Sequence, residues 1–227
     1  MKKVVVFTGA GISAESGLKT FRGQDGLWEG YNIQEVATPE GWKKDRQRVL
    51  EFYNIRRKQC IAAHPNAAHL AIKTLEKFYD TCVITQNIDD LHERAGSKNI
   101  LHLHGEIRKA QSSLNPKFVY TMQTDEINIG DTCELGSQLR PHVVWFGEAV
   151  PNLAQAEERT READVFIVVG TSLQVYPAAN LLNEIKAGCE VYLIDPQADT
   201  MRVGSHIKRI ATTATQGIPE LLNLLTK

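Results

Sequence analysis

Short, unbroken apolar runs recur at positions 4–7, 82–84, 100–103, 143–146, 165–169 and 191–194. Apart from His102 every position in them is apolar, so they suit strands covered on both faces rather than ones with a wet side. Between many of them lie stretches with helical spacing, at 46–62, 66–78, 153–163, 178–187 and 218–225. Strands alternating with helices predict an α/β fold, a Rossmann-like doubly wound parallel sheet. Two segments break the alternation. Residues 24–64 are charged and helix-rich, and residues 106–141 are polar with a strand-like piece at 117–121. The expectation is a single domain over 1–227. Its larger part is 1–23, 65–105 and 142–227; the two insertions 24–64 and 106–141 form a smaller lobe at the sheet's carboxyl edge, where open α/β sheets bind ligands.

With 227 residues, such a domain buries about 70% of its unfolded surface and needs no crosslinks. The 26 basic and 27 acidic residues nearly cancel, which argues against a dedicated nucleic-acid or membrane-surface partner. Cys60, Cys82, Cys133 and Cys189 lie far apart with no Cys-x-x-Cys, so neither a disulfide framework nor a thiolate zinc site is expected. The apolar N-terminus ends at Thr8-Gly9 and reads as a strand, not a leader, and no apolar stretch reaches the roughly 18 residues of a bilayer span. A cytoplasmic monomer is the expectation.

After the first run comes Thr8-Gly9-Ala10-Gly11-Ile12-Ser13-Ala14, the Gly-x-Gly-x-x-Ala turn that lets a pyrophosphate approach backbone N–H groups at a helix start. An ordinary dinucleotide enzyme places an acid on a second strand about 20 residues later. Here Ser16 to Gly23 lead straight into the insertion instead. Asp195, after the run at 191–194, is positioned either to bind a ribose diol or to cap the next turn. His102 and His104 share one face by period-two alternation, so pattern alone leaves both open as a general base, with an ordinary imidazole titrating near 6.5. Asn87 and Asp89 suit helix capping, ligand binding or both.

Gly9 to Gly17 followed by Thr20-Phe21-Arg22-Gly23 resembles the sirtuin family's NAD-binding signature. Thr85-Gln86-Asn87-Ile88-Asp89, His104-Gly105, Arg140 to Glu148 and Gly170-Thr171-Ser172-Leu173 with Pro177-Ala178 agree with that family in the same order. The resemblance implies an NAD-consuming enzyme that removes acyl groups from lysine side chains of proteins. It selects His104 as the base and Asn87 as its catalytic companion. It assigns the cofactor to Gly9, Ala10, Gly11, Ser13, Ala14, Glu15, Gln86, Ile88, Asp89, Gly170, Thr171, Ser172 and Asp195, with Ala214 in the threonine-rich run 212–215. It also assigns Phe21 and Arg22 to a covering loop that keeps water from the ribose. The substrate channel it implies runs along Val144, Phe146, Gly147 and Glu148.

Tyr53 and Arg56 resemble the Tyr-x-x-Arg pair of sirtuins that prefer succinyl or malonyl groups, and Ala37 the small residue that widens their acyl pocket. Their three-residue spacing lets a phenol and a guanidinium share one carboxylate. Arg57 has no role in that motif and is expected on a solvated face. Most sirtuins hold a structural zinc with four thiolates in the second insertion; only Cys133 lies in it here. A zinc-free lobe is therefore expected, packed on Leu114, Phe118, Tyr120, Met122, Ile127, Ile129 and Leu135. The rival readings are a dehydrogenase, a non-catalytic ADP-ribose-binding module and a mono-ADP-ribosyltransferase.

Overall fold

The computed structural model describes residues 1–20, 27–28 and 30–227. Strand β1 (Lys3–Thr8) turns into α1 (Gly11–Ala14). The first insertion follows, with the β2 (Leu27–Trp28) and β3 (Tyr31–Asn32) hairpin, α2 (Ile33–Val36), α3 (Pro39–Lys44) and α4 (Arg46–Ala62). Next come α5 (Ala67–Leu75), β4 (Asp80–Thr85), α6 (Leu91–Arg94) and β5 (Ile100–His102). The second insertion carries β6 (Gly105–Ser112), β7 (Val119–Thr121) and β8 (Leu139–Val143). The chain ends through α7 (Leu153–Glu162), β9 (Val165–Val169), a 3-10 segment Ala178–Glu184, β10 (Glu190–Ile194), β11 (Lys208–Ile210) and α8 (Ala214–Leu225).

Six strands form a parallel sheet in the order β11-β10-β9-β1-β4-β5. Pleating splits β1 between two cores. Val4 and Val6 face Ile72 and Leu75 of α5 and Ile218 and Leu221 of α8, while Val5 and Phe7 face Ala156 of α7 and Leu181 of the 3-10 segment. The chain leaves β1 toward β4 on one side and returns through β9 on the other. That reversal opens a crevice at the carboxyl end of β1, the usual ligand position in such sheets. There the turns after β1 and β9 are pressed together: a Cβ on Gly9 would stand 2.6 Å from Thr171 Cβ, and one on Gly11 2.6 Å from Gly170 Cα.

Several expectations need correction. The run at 143–146 is not a strand of the main sheet. Its first residue ends β8, which pairs antiparallel with β6, and the rest leaves the sheet. The expected helix at 178–187 is a shorter 3-10 segment, and α8 begins at Ala214 rather than 218. Leu114, Ile129 and Leu135 are exposed. Ile127 is buried and Met122 packs at the margin, as expected, but the residues that join them against α4 are Ile107 and Ala110.

Arg57 is the largest correction. Asp45 caps α4 by accepting from Arg48 N, and the helix buries a stripe of Val49, Phe52, Tyr53, Arg56, Arg57 and Cys60. Within that stripe the Arg57 guanidinium, fully buried, donates to Ile107 O (2.8 Å), Asn54 Oδ1 (2.7 Å) and Asp125 O (3.3 Å). Burial pulls its pKa down to about 10, still protonated at neutral pH. One cation thus joins the two insertions through the carbonyl oxygens of Ile107, Asn54 and Asp125. Arg57→Ala is expected to cost about 3 kcal/mol, from a cavity and stranded acceptors. A urea unfolding curve checks this.

Helix α5 is opened by Asn66, whose side chain accepts from Ala68 N while His69 closes the capping box. The His69 ring packs edge-on against His92, centroids 4.9 Å apart, and both are buried. Burial lowers the His69 pKa to about 4 and pushes His92 well below its usual value. The unfolded chain takes up protons near pH 6.5 and the folded one does not, so stability is full above that pH and drains away toward pH 4. For His69 alone the loss is about 3 kcal/mol. Thermal midpoints measured between pH 7 and pH 4 should fall accordingly.

Candidate active site

Parallel strands deliver all their following turns to one edge, and a single cavity collects them. The β1 turn brings Gly9, Ala10, Gly11, Ser13, Ala14 and Glu15; the β4 turn brings Gln86, Asn87, Ile88 and Asp89. His104 enters after β5, Gly170, Thr171 and Ser172 after β9, Asp195 after β10, and Ala214 at the start of α8. From the insertions come Ala37, Tyr53 and Arg56, and the segment after β8 adds Val144, Phe146, Gly147 and Glu148. Phe21 and Arg22 lie outside the described residues.

The polar groups are wired together. Asn87 Nδ2 donates to Ser13 Oγ (3.1 Å), which donates to Asp89 Oδ2 (3.0 Å). Asp89 Oδ1 also accepts from Leu91 N (3.2 Å), so capping and facing the cavity coexist in one carboxylate. Burial raises the Asp89 pKa, opposed by those hydrogen bonds. Gln86 Nε2 donates to Thr171 Oγ1 (3.0 Å), linking the β4 and β9 turns. Asp195 Oδ1 accepts from Gln197 N (2.9 Å), so it too caps a turn at the cavity wall.

The two histidines separate clearly. His104 lines the cavity, and its Nδ1 meets Gln86 O at 3.1 Å. A carbonyl only accepts, so Nδ1 carries the hydrogen and Nε2 keeps its lone pair. Burial holds the ring below the ordinary imidazole pKa, and it is a neutral base at pH 7. His102 is absent from the cavity wall and pairs with Glu93.

At the other end Tyr53 is fully buried, and its hydroxyl accepts from Trp145 Nε1 (3.1 Å). The strip carrying Trp145 is fastened by Val144 N to His104 O (2.9 Å) and Phe146 N to Ala37 O (3.0 Å). Glu148 binds Arg140 through both oxygens (2.7 and 3.0 Å) and accepts from Trp145 N (2.8 Å). The Arg140 guanidinium lies 3.4 Å over the Trp145 ring, a cation–π contact that shelters it.

A sequence model described as the Sir2 family matches residues 9–177. The chain belongs to the Sir2 family. This Sir2 protein is 51% identical to a Helicobacter pylori protein named NAD-dependent protein deacylase, over 98% of this chain and 96% of that one. A Bacteroides thetaiotaomicron protein of the same name is 48% identical, over 99% and 98%. A solved Sir2 homologue with NAD is 39% identical, with a TM-score of 0.88 over 99% of this chain and 90% of that one. A Sir2 structure with a deacetylated p53 peptide and 3'-O-acetyl-ADP-ribose is 30% identical, with a TM-score of 0.77 over 97% and 92%.

Sequence reasoning missed some lining residues of this Sir2 protein. Cys60 also faces the cavity; it continues the stripe of Tyr53 and Arg56 one turn on, and that spacing was the available signal. Trp145 lies within the expected channel segment Arg140 to Glu148, but its bond to Tyr53 spans 92 positions and leaves no local trace.

Proposed function

We propose that this Sir2 protein is an NAD-dependent protein-lysine deacylase that prefers acidic acyl chains, succinyl and malonyl, and also accepts acetyl. The observation carrying this reading is that Ala37, Tyr53 and Arg56 line the same cavity as His104, Asn87 and the glycine turn. The donor set suits NAD. Gly9 to Gly11 offer backbone to a pyrophosphate, the buried Asp195 carboxylate suits a ribose diol, and Asp89 suits the two hydrogens of a carboxamide.

Bound NAD supplies a ribose carbon from which nicotinamide is displaced by the acyl oxygen of the lysine substrate. Asp89 and Asn87 hold the departing amide end in register. His104 Nε2 takes the proton of a ribose hydroxyl. Tyr53 donates to the distal carboxylate of the acyl chain while Arg56 neutralises it. The deprotonated ribose oxygen bonds to the acyl carbon, one water adds as the acyl carbon–nitrogen bond to lysine breaks, and the products are nicotinamide, free lysine and acylated ADP-ribose. A dehydrogenase would instead yield reduced cofactor, and an ADP-ribose-binding module would release nothing.

The test incubates the protein with NAD and acetyl, malonyl and succinyl lysine peptides, measuring nicotinamide and deacylated peptide. Release that requires NAD and is fastest on the acidic peptides is expected; reduced cofactor or no nicotinamide would refute the reading. The second insertion is proposed to fold without zinc, on Arg57 and the Ile107, Ala110 and Ile127 core. Elemental analysis of the purified protein should find no stoichiometric zinc.

A further inference from the structure

Beneath the cavity, three consecutive carbonyls of the β4 turn are each held by the segment from His102 to Ile107. Gln86 O faces His104 Nδ1 (3.1 Å), Asn87 O faces His102 Nδ1 (3.1 Å), and Ile88 O accepts from Ile107 N (2.8 Å). His102 differs from His104 at its other nitrogen, where Nε2 stands 2.7 Å from Glu93 Oε1. A carbonyl and a carboxylate both accept, so the ring between them carries two protons.

We propose that His102 and Glu93 are a positioning pair, in which an imidazolium wedged between Glu93 and Asn87 O clamps the turn that presents Gln86, Asn87 and Asp89 to the cavity. The inference rests on the deacylase reading of that cavity. His102 does not itself line the cavity, and its side chain is 9% exposed; it acts through Asn87, which does. Burial alone would push the ring's pKa down; the Glu93 hydrogen bond and charge, with Glu106, outweigh it and raise it. The charged and titratable groups around it are Glu93 and His92 from α6, Glu106 from β6, Asp89 from the turn and His142 from β8. Glu106 is itself engaged by Lys109 at 2.7 Å, so the cluster closes as a network of charges. The pair gives the two histidines opposite states: one neutral ring with a lone pair in the cavity, one cation underneath.

Three variants test this, by amide hydrogen exchange of residues 86–90 without ligand and by steady-state deacylation. H102L removes the donor to Asn87 O. Exchange there should quicken at least about tenfold, and kcat should fall about thirtyfold with KM for the peptide within about threefold. H102N keeps an N–H near the Nδ1 position and should recover exchange and kcat to within about threefold of wild type. In wild type, kcat should decline on the alkaline side as His102 loses its second proton. E93Q should lose that decline, because a glutamine amide can donate to Nε2 and let a neutral ring keep its Nδ1–H on Asn87 O. Wild-type exchange in H102L, or H102N as impaired as H102L, would overturn the clamp. Fast exchange in H102L with unchanged kcat would uphold the clamp and count against the deacylase role given to Asn87.

Discussion

Replacing His104 by alanine lowers deacylation turnover by about a hundredfold to ten-thousandfold, the span that a positioned general base contributes, while ADP-ribose binding persists. The expectation follows from geometry before titration. Gln86 O takes the Nδ1 hydrogen, which leaves Nε2 as the one basic atom the ring offers the cavity. Burial keeps the ring neutral to a lower pH than a free imidazole. The acid limb of kcat should therefore lie below pH 6.5 and vanish in the variant. Because the groups proposed to hold the pyrophosphate and the second ribose, the Gly9–Gly11 turn and Asp195, are left intact, the affinity for ADP-ribose, measured by calorimetry, should change little. A variant that turns over like wild type would leave the chemistry without its base.

The second large effect concerns the acyl chain. Trp145 Nε1 is a donor only, so the Tyr53 oxygen accepts from it and its own hydrogen remains for a ligand. Burial pushes the phenol's pKa up, so the hydrogen stays in place at any working pH. Arg56, one helical turn further along α4, adds the opposite charge to the same wall. A hydrogen bond to a charged group is worth about 1.5–3 kcal/mol. Tyr53→Phe and Arg56→Met should thus each cost about tenfold to hundredfold in kcat/KM on succinyl and malonyl peptides, and far less on the acetyl peptide. Equal losses on all three peptides would remove the acidic-acyl preference and leave a general deacylase.

Burial on both faces is what made the central strands legible. Val4 to Phe7 and Val165 to Val169 need apolar residues at every position, because each side chain meets a helix layer. Strand β11 escaped notice for the converse reason: at the sheet's edge its Lys208 and Arg209 face solvent, and pairing with β10 alone makes it a strand. Arg57 reads as surface because its acceptors, Ile107 O and Asp125 O, lie 50 and 68 positions away. The strip after Val143 reads as a buried strand because a wall of the cavity also takes apolar residues, although only Trp145 is buried there and Phe146 is exposed. In the cavity, the glycine turn and the side chains at strand ends were visible as spacing. The choice between His102 and His104 was not, since it depends on which nitrogen faces Glu93 and which faces open space.

The central position of β1 sets a schedule for synthesis. Val4 pairs with Thr81 on one side and Val165 on the other, so its second partner leaves the ribosome some 160 residues later. At about 5–20 residues per second, that edge waits roughly 8–32 s with its N–H and C=O groups unmatched. Until then the nascent chain carries an open, strongly apolar border prone to sticking to its neighbours. Slow growth of that half-built sheet, rather than low final stability, is the step at which chaperone supply should govern yield.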